Sequence, residues 1–224
     1  MLSNFKVVIS DNLYLKDPES SEIGRKIIDK SIFLIDEIGF ESFTFKKLGE
    51  LIQTTESSIY RYFESKHQLL VYLTTLYWSW IEYQIVLATL NIENSKVKLE
   101  KIIKIITNNS HVLVSKQFDD QGLARIIVSE FSKTYLTKDI DKINKSGYFM
   151  VYKRVVMMLV NTIIEINPLY KYPKSLASMV IESYVHQQFL KEHLKTITNF
   201  SEANSETDFY IDLLTKVISE KANV

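Results

Sequence analysis

The chain of 224 residues holds only five glycines and three prolines, under a third of the usual combined share of roughly 12%. A chain so poor in turn formers has few turns, which at this length means a small number of long helices. No segment alternates apolar and polar residues well enough to predict a strand. The expectation is an all-α fold of about nine helices, without a Gly-rich phosphate loop. Apolar residues make up 46%, enough for a sizeable core and against wholesale disorder. The absence of Cys removes disulfides, Cys-ligated zinc, iron–sulfur clusters and thiol nucleophiles together. Basic and acidic side chains balance at 27 each, which argues against a polycation that coats nucleic acid or anionic lipid. Met1 to Ser10 lacks a charged segment followed by a long apolar one. The most apolar window, Leu69 to Ile81, contains Thr74, Thr75 and Ser79 and is shorter than the ~20 residues needed to span a bilayer. A soluble, cytoplasmic protein without a membrane partner is expected.

Residues 1–17 read as a separate extension. Within it Phe5 to Ile9 is a short β-prone run, in an arm or a packed segment. Asp17-Pro18-Glu19 has the signature of a helix start, and the first helix is predicted over Pro18–Ile38 with Gly39 as its left-handed terminator. Ile23, Ile27, Ile28, Ser31, Leu34, Ile35 and Ile38 form its stripe. Thr44 is placed to cap a second helix, Phe45–Ile52, burying Leu48, Leu51 and Ile52; Thr55 caps a third, Glu56–Phe63, with Ile59 and Phe63 on one side. A long fourth helix starts near Lys66 and passes Tyr83. Five more are predicted: Lys96–Phe118, Gly122–Lys133, Lys138–Ile166, Pro173–Thr198 and Thr207–Lys221.

Helix lengths over residues 18–90 carry the functional signal. A long helix, two short helices separated by tight turns, then another long helix is a helix-turn-helix arrangement, in which the second short helix enters the DNA major groove. Its buried side is anchored by Ile59 and Phe63 against Leu48, Leu51 and Leu34. Ser57 and Arg61 lie about 200° around the helix from Ile59, flanked by Ser58 and Tyr60. The free N–H groups at Thr55 suit a phosphate. Lys46, Lys47, Arg61 and Lys66 surround this face and can neutralise phosphates.

Residues 20–70 resemble the amino-terminal domain of tetracycline-repressor-like (TetR) transcription regulators. The resemblance rests on Ile27, Ser31, Leu34, Gly39, Phe40, Phe43-Thr44, Leu48, Thr55 and Leu69-Leu70, and most specifically on the run from Ser58 to Lys66. It implies that Thr44 and Lys66 touch phosphate and that Thr55, Glu56, Ser57, Ser58, Tyr60 and Arg61 line the groove face. Two positions depart from the family pattern. Gln53 stands where the inter-helix turn usually has Gly, so another turn geometry is open. Glu56 stands where a basic or small residue is common; it would repel a phosphate but could accept from a cytosine amine.

For residues 71–224 the resemblance implies a regulatory and dimerisation domain. Its last two helices would pack a homodimer through Val180, Tyr184, Gln187, Leu190, Leu194, Leu213 and Val217. A small-molecule effector pocket would draw on Tyr77, Trp78, Trp80, Tyr83, Asn109, His111, Tyr148, Tyr152 and Met157. Each of these aromatic residues reads equally as core. Glu182, His186 and His193 share one helical face, a weak metal pattern; hydrogen-bonded packing is the commoner use, and no metal or cofactor is expected. No nucleophile elbow or close zinc pair appears, so no enzyme is expected. The reading is a ligand-responsive repressor on a near-palindromic double-stranded operator. An all-α ligand carrier or adaptor remains its rival, and would show no salt-dependent DNA affinity.

Overall fold

The computed structural model describes residues 13–107, 118–135, 138, 140–201 and 205–219. The β-prone run Phe5 to Ile9 and the predicted ligand residues Asn109 and His111 lie outside them. Among the described residues there are ten α-helices and no strand. The first five are α1 (Glu22–Ser42), α2 (Phe45–Leu51), α3 (Glu56–Tyr60), α4 (Lys66–Thr89) and α5 (Ser95–Thr107). The others are α6 (Asp120–Tyr135), α7 (Ile140–Lys145), α8 (Met150–Ile166), α9 (Pro173–His193) and α10 (Glu206–Ser219). Ten replace the expected nine because the predicted helix Lys138–Ile166 is two. A hydrogen-bonded turn with Gly147 at φ 83 separates α7 from α8.

The start of α1 also differs from expectation. Asp17 does cap, but it caps a short 3-10 turn, Pro18–Ser20, by accepting the Glu19 N–H at 2.9 Å. Ser21 then caps α1 itself, accepting the Gly24 N–H at 3.1 Å. Two good cap residues four positions apart split one predicted start into two. At the other end Gly39 takes φ 76 and ψ 154, and a last turn, Phe40–Ser42, follows the kink. The predicted third helix likewise stops at Tyr60 rather than Phe63.

The described residues form two compact units. One holds those up to Trp80 together with Phe118 to Val151; the other holds Ile81 to Thr107 together with Tyr152 to Ser219. In the first unit the apolar window Leu69 to Ile81 is explained, since its residues up to Trp80 are all buried. A helix apolar all round is a core helix, and among the described residues no helix is long and apolar enough to cross a membrane. Helix α6 lies along α1 in this unit. Arg125 grips Asp36 with both Nε and Nη2, the shortest bond 2.6 Å, and Lys133 reaches the Glu41 carboxylate at 2.9 Å.

In the second unit Val180, Ile181, Tyr184, Tyr210 and Leu214 are buried; α10 lies against α5, and its Tyr210 ring stands edge-on to Tyr184 of α9 at 6.4 Å. The Ser183 and Tyr210 hydroxyls meet at 3.1 Å, and Lys191 pairs with Glu206 at 2.7 Å. This corrects part of the expected dimer stripe: Val180, Tyr184 and Leu190 lie in the chain's own core and present no surface to a partner. Gln187, Leu213 and Val217 are half-buried, and Leu194 is exposed. The exposed apolar residues of these helices are instead Met179, Phe189 and Phe209.

The φ/ψ of Gly39 belongs to a region essentially reserved for glycine. A Cβ built there meets nothing within 4 Å, so the constraint is backbone conformation alone. Gly39→Ala is therefore expected to lose about 1–3 kcal/mol of unfolding free energy, measured by urea denaturation.

Candidate nucleic-acid interface

Helices α2 and α3 have seven and five residues, too few to be stable alone. Caps and core hold them. The Thr44 hydroxyl accepts the Lys47 N–H at 3.2 Å. The Thr55 hydroxyl accepts the Ser58 N–H at 3.3 Å and lies 2.9 Å from the Ser58 hydroxyl. The turn between the helices closes where the Thr54 N–H reaches the Gly49 carbonyl at 2.8 Å. Gln53 within it sits at φ 56, so it adopts the left-handed conformation that a glycine would supply. A Cβ on Gly49 would stand 2.8 Å from the Thr54 carbonyl oxygen; glycine there lets the turn fold back onto α2. The sequence signal that marks this position is an isolated Gly inside a helical pattern.

Beneath the two helices Leu48, Ile59 and Phe63 are buried, as expected for the anchor, and Phe43 and Phe45 are buried with them. Leu51 is the exception, 43% exposed. The buried side of α2 runs Phe45–Leu48–Gly49, and Leu51 sits about 200° from Gly49 at 100° per residue. Leu34 is half-buried.

On the outer side Thr44, Lys46, Lys47, Thr55, Glu56, Ser57, Tyr60 and Arg61 are exposed and Ser58 is half-buried. Tyr60 stands with its ring edge-on to Phe45, centroids 5.0 Å apart. Of the four predicted phosphate-neutralising cations, two are bonded to backbone carbonyls. Lys47 Nζ donates to the Ser42 carbonyl at 2.8 Å. Lys66 Nζ donates to the carbonyls of Phe40, Glu41 and Phe43 at 3.0, 3.1 and 3.2 Å. The last carbonyls of a helix lack intrahelical partners and carry the negative end of its dipole, which is why lysines collect at the end of α1. Of the four, Lys46 and Arg61 have no partner among the described residues and are exposed. Beside α3, the segment before α1 seats on Tyr62: the Leu15 N–H donates to the Tyr62 carbonyl at 2.8 Å and Lys16 Nζ lies 5.1 Å from the ring centroid. The Ser21 and Tyr62 hydroxyls meet at 2.8 Å.

The predicted ligand residues are dispersed. Tyr77, Trp78 and Trp80 are buried in the first unit, where burial pushes the Tyr77 phenol above its ordinary range and Trp78 Nε1 donates to Tyr135 at 2.8 Å. Tyr148 is half-buried in the same unit. In the second unit Tyr83 is half-buried, the Tyr152 hydroxyl donates to Glu182 at 3.3 Å and Met157 is exposed. An open cleft of about 440 Å³ in that unit is lined by Ile85, Val86, Leu90, Lys98, Ile102 and Met158 among others, and by none of the predicted ligand residues. His186 and His193 flank the Phe189 ring. Among the described residues no three metal-ligating side chains converge.

The architecture is that of a helix-turn-helix DNA-binding transcription regulator. The family described as bacterial regulatory proteins, tetR family, matches residues 27–73. No curated protein matches the chain. Solved structures share the fold at low identity. AibR, solved in complex with isovaleryl coenzyme A and operator DNA, is 16% identical over 86% of this chain and 97% of its own, with a TM-score of 0.57. A tetR-family regulatory protein from Rhodococcus RHA1 is 11% identical, covering 88% and 97%, with a TM-score of 0.62. PfmR of Thermus thermophilus, also of the tetR family, is 13% identical, covering 87% and 99%, at 0.52. Residues 27–73 thus match the amino-terminal domain of tetR-family regulators, and the solved structures share the fold over most of the chain.

Two stability outcomes follow from this geometry. Leu48→Ala should cost about 2–5 kcal/mol, while exposed Leu51→Ala stays within roughly 0.5 kcal/mol of the parent; equal losses in urea titrations would mean that α2 is rotated from this placement. Gln53→Gly relieves a left-handed side chain and should gain about 0.5–1 kcal/mol, read as a rise in Tm.

Proposed function

We propose that the chain is a ligand-responsive repressor that binds a near-palindromic operator as a homodimer. Residues 18–70 serve as its reading head and residues 71–224 as its regulatory and dimerisation part. The observation that carries the DNA reading is the outer side of α3. A polar, nearly unobstructed surface of Ser57, Tyr60 and Arg61 stands on a helix whose inner side is locked by Ile59. Arg61 and Lys46 have no partner among the described residues, so their charges are free for phosphate or base edges. Thr44 and Thr55 stand exposed at the starts of α2 and α3, where the positive end of a helix dipole favours a phosphate.

Two free cations beside the recognition helix give little non-specific attraction. A dimer doubles the contacts and spaces two recognition helices by about one DNA turn, ~34–36 Å. The exposed Met179, Phe189 and Phe209 supply apolar surface for such pairing. Ligand response is supported by the fold shared with AibR, which was solved with isovaleryl coenzyme A and operator DNA. A ligand releases DNA only if it binds the non-binding conformer more tightly. We assign no catalytic activity.

The test is selection of bound duplexes from a random pool by the purified chain, followed by fluorescence anisotropy on the enriched sequence. An enriched inverted repeat is expected, with the pair Tyr60→Ala and Arg61→Ala abolishing its binding while Tm stays within a few degrees. Lys46→Ala should lower the slope of log affinity against log salt by about one. No enrichment, with no salt-dependent affinity for any duplex, would leave the carrier or adaptor reading. Sedimentation should give twice the chain mass, and Phe189→Asp should shift it toward one.

A further inference from the structure

Lys66 has a different task from the one its position suggests. Its ammonium is donated to the carbonyls of Phe40, Glu41 and Phe43 at 3.0, 3.1 and 3.2 Å. An ammonium has three N–H groups and no acceptor, so these three carbonyls occupy it fully. The Phe40 ring covers it, its centroid 4.7 Å from Nζ. A phosphate oxygen would find no N–H to accept from unless one of these bonds broke.

The three carbonyls have a particular place in the chain. Phe40 and Glu41 are in the last turn of α1, after the kink at Gly39. Phe43 immediately precedes Thr44, the cap of α2. Lys66 is the first residue of α4, reached from α3 through the turn that follows Tyr60. Everything between Phe43 and Lys66, 23 positions apart, is the α2–α3 unit. One side chain therefore fastens the segment leading into that unit to the segment leading out. The surrounding charges are otherwise satisfied: Lys133 lies over the same Phe40 ring at 5.8 Å and pairs with Glu41 and Glu130 at 2.9 and 2.8 Å, and Lys47 takes the Ser42 carbonyl.

We propose that Lys66 is a positioning residue that clips the two ends of the α2–α3 unit together and holds the recognition helix at its angle to α1 and α4, without contacting DNA. The proposal rests on the DNA-binding reading above. Sequence-specific binding needs the base-contacting side chains in register, whereas non-specific binding uses the free charges of Lys46 and Arg61. Loosening the clip strikes the first and spares the second.

The test uses the full chain with Lys66→Met, which keeps an apolar stem over Phe40 but has no N–H, and Lys66→Arg, which keeps the charge but donates in a planar fork unsuited to three converging carbonyls. At a temperature well below melting, Lys66→Met should bind the selected duplex at least tenfold more weakly. Its affinity for a scrambled duplex should stay within twofold and its salt slope unchanged. Lys66→Arg should fold with an unchanged slope and a smaller loss on the selected duplex. A slope lowered by about one, with both duplexes weakened alike, would make Lys66 a phosphate contact and overturn the proposal. So would an unchanged affinity for the selected duplex. Without DNA, amide hydrogen exchange over Phe40 to Tyr60 should quicken at least tenfold in Lys66→Met relative to α4. Unchanged exchange overturns the clip whatever the DNA result. Quickened exchange in a chain that binds no duplex leaves the clip standing and removes the DNA-binding reading instead.

Discussion

Helix α3 is five residues long, and a helix of that length has no standing in water because nucleation costs more than one turn returns. Its presence is a tertiary effect, and the arrangement of the reading head answers the question of what holds it. From inside, Ile59 is fully buried beside Leu48 and Phe63. At its start Thr55 supplies the cap. At its far end Tyr62 is held by Leu15 and Ser21, so residues 15–21 are part of the support. Once every inward group is engaged, the outward ones, Ser57, Tyr60 and Arg61, are fixed in place with their polar atoms turned to the surface.

Charge is handled in the same way. The chain is neutral overall, and its first 70 residues hold nine basic and eleven acidic side chains. A reader of DNA with that balance cannot rely on bulk attraction. Two of its four well-placed cations, Lys47 and Lys66, are committed to the carbonyl end of α1, where the helix dipole favours them. What remains for phosphate is sparse, and in the proposed reading this moves the weight of recognition onto the geometry of α3. Such a head gains more from rigid positioning than from added charge.

The features that follow from local chemistry were legible in the sequence. Thr44 and Thr55 cap the helices they were expected to cap, Gly39 takes the positive φ, and Ile59 and Phe63 form the anchor. The features that differ depend on what stands opposite. Leu51 fits an apolar stripe on paper, but the close approach at Gly49 sets which side of α2 is buried. Val180, Tyr184 and Leu190 are as apolar as an interface needs, yet they are buried within the chain itself, Tyr184 against Tyr210. Lys66 could not be distinguished from a surface cation, since its three acceptors lie 23 to 26 positions away and come together only through the kink in α1. A composition low in glycine correctly implied helices, but a single Gly147 divided one predicted helix into two.

The extent of the reading head is the remaining consequence. Helices of seven and five residues are too small to cover a helix of 21, so α1 needs a further neighbour for its apolar side. Helix α6 supplies it. Ile32 is fully buried, and a Cβ added to Gly122 of α6 would come within 3.3 Å of it. The bidentate Arg125–Asp36 pair and the Lys133–Glu41 pair fasten the two helices further along α1. Glu41 is held below the usual carboxylate range by its bond to Lys133, and its own backbone carbonyl accepts from Lys66. The same residue thus meets α6 through its side chain and α4 through its main chain. A stretch more than 50 positions beyond the helix-turn-helix is in this way part of its foundation.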